Sequence, residues 1–498
     1  MSNDVSTQQS GADSGNNPSH QEMNALVEMF NEGRYLEAGM LAHKMTVLFP
    51  FHALGWKVLG RVFGQMGRTS EALTSMKRAV ELSPRDASAH SYLGNIFRDL
   101  GKLHEAEISF RNALRIKPNM ALAHYNLGNT LKDCGKLDDA EACYRRAVEI
   151  KPDYADAHNN LGSILNTLGR PDEAEASLRR ALEINPDSVN AHNNLGNTLK
   201  ELGRLDEAEA CFRRALIINP HDPNIHFSLG GLFGVMGKLD AAAAHFNICL
   251  ESNQEDPLGV RLLLARLGLE PIPVRASEAL LNRLYIKRSK SWEHASGYRG
   301  HELVAHALRK LSHRSNLDIL DAGCGTGLVG GLVRELANRL DGIDMSSAML
   351  EKAKEKGIYD QLHQGDLVAF MVNNPGSYDA ITCAATLIHF GDLMPVFDAA
   401  AASLRDEGLF IFTLFPNDSE GNSPEVVAAQ DTELANGGCY AHSPAYVRRL
   451  AEATGFVVEA LDSEIHEYNR KGIAVMALAV ALRRQIRLAP LTAFSEEG

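Results

Sequence analysis

At 498 residues the chain exceeds what one hydrophobic core usually organises, so two or more domains are expected. Its 45% hydrophobic and 23% charged residues are the balance of a soluble globular protein, which excludes the disordered and fibrous classes. A formal charge of −13 disfavours nucleic acid as a partner, because binding a phosphate backbone depends on clustered Lys and Arg.

Residues 1–18 are polar and rich in Gly, Ser and Asn, lack the basic start and apolar core of a secretory signal, and read as a disordered tail. The seven cysteines form no CxxC pair and no Cys/His cluster at metal-ligand spacing, so no metal is expected and the thiols read as reduced, in a cytoplasmic protein. The longest apolar run, Ile473 to Leu482, is about half the ~20 residues of a membrane-spanning helix. A buried strand, and no membrane association, is expected there.

From 19 to 256 the chain repeats itself every 34 residues, in seven units starting near Ser19, Ala53, Ala87, Ala121, Ala155, Val189 and Pro223. Small residues mark where paired antiparallel helices approach: Gly60 and its equivalents to Gly230, and Ala38 and its equivalents to Ala242. Gly33 to Gly237, at the same spacing, fall between the two helices of each unit, and Pro50 to Pro220 close the second. Leu26 replaces the inner glycine of the first unit and Gln254 the closing proline of the last, as suits end units. His90, His124, His158, His192 and His226 recur once per unit and read as helix packing, not as a metal site. Asn126, Asn160 and Asn194 share one register of the first helices, and Asn95, Asn129 and Asn197 another. An amide offers a donor and an acceptor together, so such a ladder suits clamping a bound peptide backbone; a solvated helix face gives the same pattern.

This pattern resembles the tetratricopeptide repeat. The resemblance implies a right-handed superhelix whose groove takes an extended polypeptide partner, and it leaves pairing into a homodimer open.

Residues 257–316 lose the period and read as a linker and helical lid. At 317 a short apolar strand (Leu317 to Leu320) runs into a glycine-rich turn, Asp321 to Gly327, followed by a helix. Gly323, Gly325 and Gly327 let the backbone pass close beneath a ligand. DAGCGTG resembles the first motif of class I methyltransferases, in which an acid leads the turn, whereas phosphate binders want bare backbone amides. The family resemblance implies S-adenosylmethionine as cofactor, S-adenosylhomocysteine as product, and no metal. It assigns Asp321, Gly323, Cys324, Gly325 and Gly327 to the cofactor. It places Asp344 on the ribose hydroxyls with Met345 beside it, Asp366 of QGDL on the adenine amino group between Gly365 and Leu367, and Thr386 at the end of the fourth strand.

The fold expected is an all-α solenoid of about seven repeats (19–256), then an α/β Rossmann-like class I methyltransferase (317–486) with a helical lid, and a tail at 487–498. YRGHELVAHAL and GCYAHSPAYVRRLAEATGFVV look like a group of bacterial methyltransferases joined to these repeats. That group carries a Tyr-Ala pair in its first lid helix, where this chain has Tyr285 and Ile286.

Methyl transfer is an in-line displacement that needs a base only for some acceptors. His389, after the fourth strand, is the candidate base. Tyr298 in the lid, and Tyr440 and His442 on a loop over the site, are candidate substrate contacts, with Asn126, Asn160 and Asn194 on the repeats. The reading is a methyltransferase whose repeats recruit a polypeptide substrate or carrier. The alternatives are an enzyme acting on a free small molecule with the repeats used for dimerisation, and an adaptor with a non-catalytic methyltransferase-like domain.

Overall fold

The computed structural model describes residues 17–288, 297–417, 424–429, 437–468 and 473–486. Of the expected N-terminal tail only residues 17 and 18 fall within these, and the expected tail at 487–498 lies outside the described residues. The chain divides into two compact units between Asn194 and Leu195.

In the first unit, helices pair in register with the repeat: His20–Asn31 with Tyr35–Leu48, Ala53–Gln65 with Thr69–Leu82, Ala87–Asp99 with Leu103–Ile116, Ala121–Asp133 with Leu137–Ile150, and Ala155–Thr167 with Pro171–Ile184. Ser19 opens the array with a capping box, its hydroxyl accepting from the Glu22 amide while Glu22 accepts from the Ser19 amide. Close packing within a pair explains the inner glycine: a Cβ on Gly128 would stand 2.7 Å from the Tyr144 ring. The recurring histidines stitch successive pairs together. His90, His124, His158 and His192 each bond through Nε2 to the carbonyl of the proline six residues before, at 2.8–3.1 Å, and Trp56 does the same to Pro50 with its indole N–H.

The two asparagine registers meet across repeat boundaries. Asn126 Nδ2 donates to Asn95 Oδ1 at 3.0 Å and Asn160 Nδ2 to Asn129 Oδ1 at 2.9 Å. At the next boundary Ser163 stands where an asparagine would accept, and Asn194 Nδ2 bonds Asn159 Oδ1 instead. An amide proton of each candidate peptide clamp is thus spent on the neighbouring repeat.

The second unit begins with the same helix pattern, Leu205–Ile218, Pro223–Val235 and Leu239–Ser252. Asp256 then caps a short helix, Val260–Arg266, accepting from the Val260 and Arg261 amides. Leu262 of that helix, Leu280 and Leu281 of the helix Glu278–Arg288, and Tyr440 bury together.

A sheet follows. Strands β1 (Leu317–Ala322), β2 (Ala337–Asp344), β3 (Gln361–Gln364), β4 (Tyr378–Cys383) and β5 (Leu404–Pro416) are parallel in the order β3-β2-β1-β4-β5. β6 (Val426–Ala428) and β7 (Tyr440–His442) form an antiparallel pair, and β7 runs parallel to the end of β5. β9 (Ala474–Arg484) runs antiparallel to β5 and carries β8 (Phe456–Tyr468) on its other side. Both faces are covered, as a parallel sheet requires. Val304, Ala305 and Leu308 of the helix Gly300–Leu311 pack on Ile319 and Leu340. On another core cluster Phe397 meets Phe410, Phe412 and Phe456 edge-on.

One expectation is corrected. GCYAHS is not a loop over the site: Tyr440–His442 is strand β7, drawn into the sheet by pairing with β5 and β6. Glu464 and His466 lie inside β8, which continues to Tyr468 because β9 pairs with it. No helix among the described residues is long and apolar enough to cross a membrane.

Candidate functional site

The site lies at the C-terminal ends of β1, β2 and β4, where the strand order reverses on either side of β1, the place where open α/β sheets form a crevice. Leaving β1, the chain turns through Gly323, whose φ is +74°, and the amides of Gly323 and Cys324 both donate to the Ile343 carbonyl of β2. A side chain at 323 would be strained at this φ, and its Cβ would collide with the Thr386 side chain and displace it. Gly327, at φ +87°, ends the turn and starts a helix of only six residues, Leu328–Val333.

Asp344 ends β2. Its Oδ2 accepts from the Gly325 amide at 2.9 Å and its Oδ1 from the Ser346 amide at 2.8 Å, while burial raises its pKa. Asp366 caps the helix Leu367–Asn373 through Oδ1, and its Oδ2 is paired at 2.7 Å with Arg275 from the linker. That linker is strapped down by backbone bonds, with the Gly391 and Asp392 amides donating to Val274 and the Ala276 amide to His389. Ala385 lines the turn after β4 at φ +54°, an unusual backbone for a residue with a Cβ and one that gathers at functional sites.

Together these groups line a partly open cleft with about 950 Å³ of empty space, some of it continuous with solvent. Gly323, Cys324, Gly325, Asp344, Met345, Gly365, Asp366, Leu367 and Thr386 line it, as do Tyr298 and His389. Thr326 lines it too, and its buried hydroxyl has no hydrogen-bond partner among the described residues.

Asp321 does not line the cavity. It is 1% exposed, beneath the turn, where Tyr359 Oη donates to its Oδ2 at 2.7 Å and Thr382 to its Oδ1 at 3.3 Å; burial pushes its carboxyl up to about 6. Gly327 is likewise absent from the wall and acts as the helix cap. Tyr440 and His442 are fully buried in β7, away from the wall, and His442 stacks on Tyr446. Strand pairing turned both inward, and neither is placed to touch a ligand of this cavity. His389 is not an open imidazole: Nδ1 bonds the Gly438 carbonyl at 3.0 Å and Nε2 the Tyr285 hydroxyl at 2.7 Å. Tyr298 stacks on His301 and meets His466 edge-on, and its burial raises its pKa.

Sequence reasoning missed Tyr359, Arg275 and the Tyr285–His389 pair, each joined to its partner across 38, 91 and 104 residues. Only the departure from the family at Tyr285 drew attention to that stretch.

A doubly wound sheet with a glycine turn, an acid closing the second strand and a helical lid defines a Rossmann-like methyltransferase domain. Comparison agrees: residues 293–461 match the family described as Methyltransferase domain, and residues 58–121, 119–187 and 165–229 match tetratricopeptide repeat families. The chain therefore joins tetratricopeptide repeats to a methyltransferase domain. The biotin biosynthesis bifunctional protein BioHC of Saccharophagus degradans is 25% identical over 215 residues, 39% of this chain and 38% of that protein. A ubiquinone biosynthesis O-methyltransferase of Colwellia psychrerythraea is 27% identical over 119 residues, 23% of this chain and 48% of that protein. The chain thus spans less than half the length of either. Among solved structures, the crystal structure of MamA matches at 24% identity and a TM-score of 0.31, over 32% of this chain and 95% of that one.

Proposed function

We propose that the chain is a cytoplasmic, S-adenosylmethionine-dependent methyltransferase whose repeats recruit a polypeptide, either as the methyl acceptor or as the carrier of one. The charge of the cavity wall carries the reading: among the described residues, Glu278, Asp344 and Asp366 line it with Arg275 as the one Lys or Arg. That excess of carboxylate suits a cationic sulfonium with an ammonium tail and opposes the pyrophosphate of a dinucleotide.

The donor set fits such a cofactor. Each Asp344 oxygen accepts one backbone N–H and keeps acceptor capacity for one ribose hydroxyl. Asp366 would take the adenine amino group with the acceptor capacity left after Ala369 and Arg275, and Leu367 would lie beside the ring. Gly323, Cys324, Gly325, Gly365 and Thr386 supply backbone and small side chains that admit close approach, Met345 adds an apolar wall, and the Thr326 hydroxyl, without a hydrogen-bond partner among the described residues, offers a polar contact. Asp321 holds the turn in shape from below. When bound, the cofactor supplies an activated methyl group and leaves as S-adenosylhomocysteine. The chain's own residues hold the acceptor in line and keep water out.

Calorimetric titration of S-adenosylmethionine into the full chain and into Asp344→Ala tests this. Saturable binding is expected for the wild type, weakened at least about tenfold in the variant by loss of two hydrogen bonds to a charged group. Absence of saturable heat from the wild type would sink the reading. Recruitment is tested by incubating the full chain with labelled cofactor and cell extract: label retained in polypeptide supports it, and label confined to free metabolites overturns it.

A further inference from the structure

The mechanism above leaves the Tyr285–His389 pair unused, although both side chains line the cavity. Tyr285 comes from the lid helix Glu278–Arg288 and His389 from the turn after β4; their rings meet edge-on at 89° with 2.7 Å between Oη and Nε2.

The direction of that bond follows from the other side of the ring. His389 Nδ1 lies 3.0 Å from the Gly438 carbonyl, and a carbonyl only accepts, so Nδ1 carries the imidazole proton. Nε2 therefore holds a lone pair, and Tyr285 donates to it. The hydroxyl's one proton is committed, and what Tyr285 offers any other group is acceptance.

The pair is also held rigidly. His389 is 2% exposed, and its carbonyl accepts from the Ala276 amide. Gly438, at φ +72°, has no room for a Cβ, which would stand 2.9 Å from Leu280 Cδ2 and 3.0 Å from Ala276 Cβ. Such preorganisation is what a proton-transfer group needs.

We propose that Tyr285 is a catalytic residue that takes the proton of a hydroxyl acceptor, with His389 behind it as the final holder of that proton; this rests on the methyltransferase reading. As the acceptor oxygen bonds the methyl carbon, its O–H bond breaks. That proton passes to Tyr285 Oη while Tyr285's own proton passes to His389 Nε2, and the electron pair of the breaking C–S bond stays on sulfur. A thioether and an imidazolium replace a sulfonium and a neutral imidazole, so the net charge of the buried site does not change.

The same geometry selects the acceptor. A carboxylate would face an accepting oxygen and a wall rich in carboxylates, whose one arginine among the described residues is already paired with Asp366 and Glu278. An ammonium would bring a second positive charge against the sulfonium, which a neutral hydroxyl does not. An imidazole is a weak base, so a phenolic O–H, ordinarily near pKa ~10, suits it better than an alkyl alcohol.

The test uses the full chain with labelled S-adenosylmethionine and three probes: catechol, benzoate and benzylamine. Label is expected in catechol, with kcat falling about 100-fold in Tyr285→Phe while calorimetric affinity for the cofactor stays within about threefold. In ¹⁵N-histidine NMR, the imidazole signal missing from His389→Gln is expected to report a protonated Nδ1 and a bare Nε2, and to shift in Tyr285→Phe. Preference for benzoate or benzylamine, no transfer to any probe with cofactor bound, undiminished kcat or lost cofactor binding in Tyr285→Phe, or an Nε2–H tautomer overturns the proposal. Failure of the wild type to bind cofactor overturns instead the reading on which it rests.

Discussion

Asp321 shows how one buried carboxylate shapes the glycine turn without entering the cavity. Tyr359, its principal donor, fits because Gly330 and Gly342 leave a slot: a Cβ on either would stand 2.3 or 3.0 Å from its ring or hydroxyl. Burial first, against the hydrogen bonds from Tyr359 and Thr382, raises the Asp321 pKa from 3.8 to about 6. A raised acid contributes stability below its unfolded pKa and loses it as pH rises through its folded pKa. Tyr359→Phe keeps the ring in its slot but removes the donor, which pushes the folded pKa further up. The variant is therefore expected to lose about 1.5–3 kcal/mol at pH 7.5, the worth of a hydrogen bond to a charged group, and much less at pH 5, where the carboxyl is protonated in the folded state. Urea denaturation at the two pH values measures it; an equal loss at both would contradict the role assigned to Tyr359.

Among elements, the repeats were legible because each helix pair restates the same spacing, and the helices begin at Ala53, Ala87, Ala121, Ala155, Val189 and Pro223, where the period places them. The turn at Gly323 and the acids Asp344 and Asp366 were legible for a similar reason: a local motif sits on local geometry. β6 and β7, at three residues each, are too short to show a period, and only pairing to β5 makes them strands. The Arg275–Asp366 and Tyr285–His389 contacts depend on how the lid folds back, which spacing along the chain does not encode. The histidines read as packing residues have a sharper role, since His158 Nε2 bonds the Pro152 carbonyl at 3.1 Å and so satisfies an acceptor at the end of the preceding repeat. His158→Phe is expected to cost about 1 kcal/mol in urea denaturation of the full chain, the net worth of one hydrogen bond. His158→Trp, which keeps an N–H as Trp56 does on Pro50, is expected to recover most of it. Equal losses in both variants would show that ring shape, not the hydrogen bond, matters there.

At the scale of the whole molecule, pH pulls stability in two directions. Burial raises Asp256, Asp321 and Asp344, which favours the folded state as pH falls. Burial lowers His124, His158, His245, His301 and His442, which favours it as pH rises. His442 is the strongest of the second group: fully buried in β7, with neither ring nitrogen hydrogen-bonded among the described residues, it falls from 6.5 to about 4. A histidine with a lowered folded pKa contributes stability that is whole above its unfolded value and drains away as pH drops from there through the folded value. His442→Phe keeps the stack on Tyr446 and removes the titration, so comparing wild type with variant cancels the opposing carboxylates. The difference in unfolding free energy is expected to stay constant above pH 6.5 and to move against the wild type by about 2 kcal/mol at pH 5, at 1.36 kcal/mol per pH unit. His442 lies in β7, so the change belongs to the transition that unfolds the sheet. Calorimetry across pH 5–8 settles it: a pH-independent difference would refute the assignment to His442.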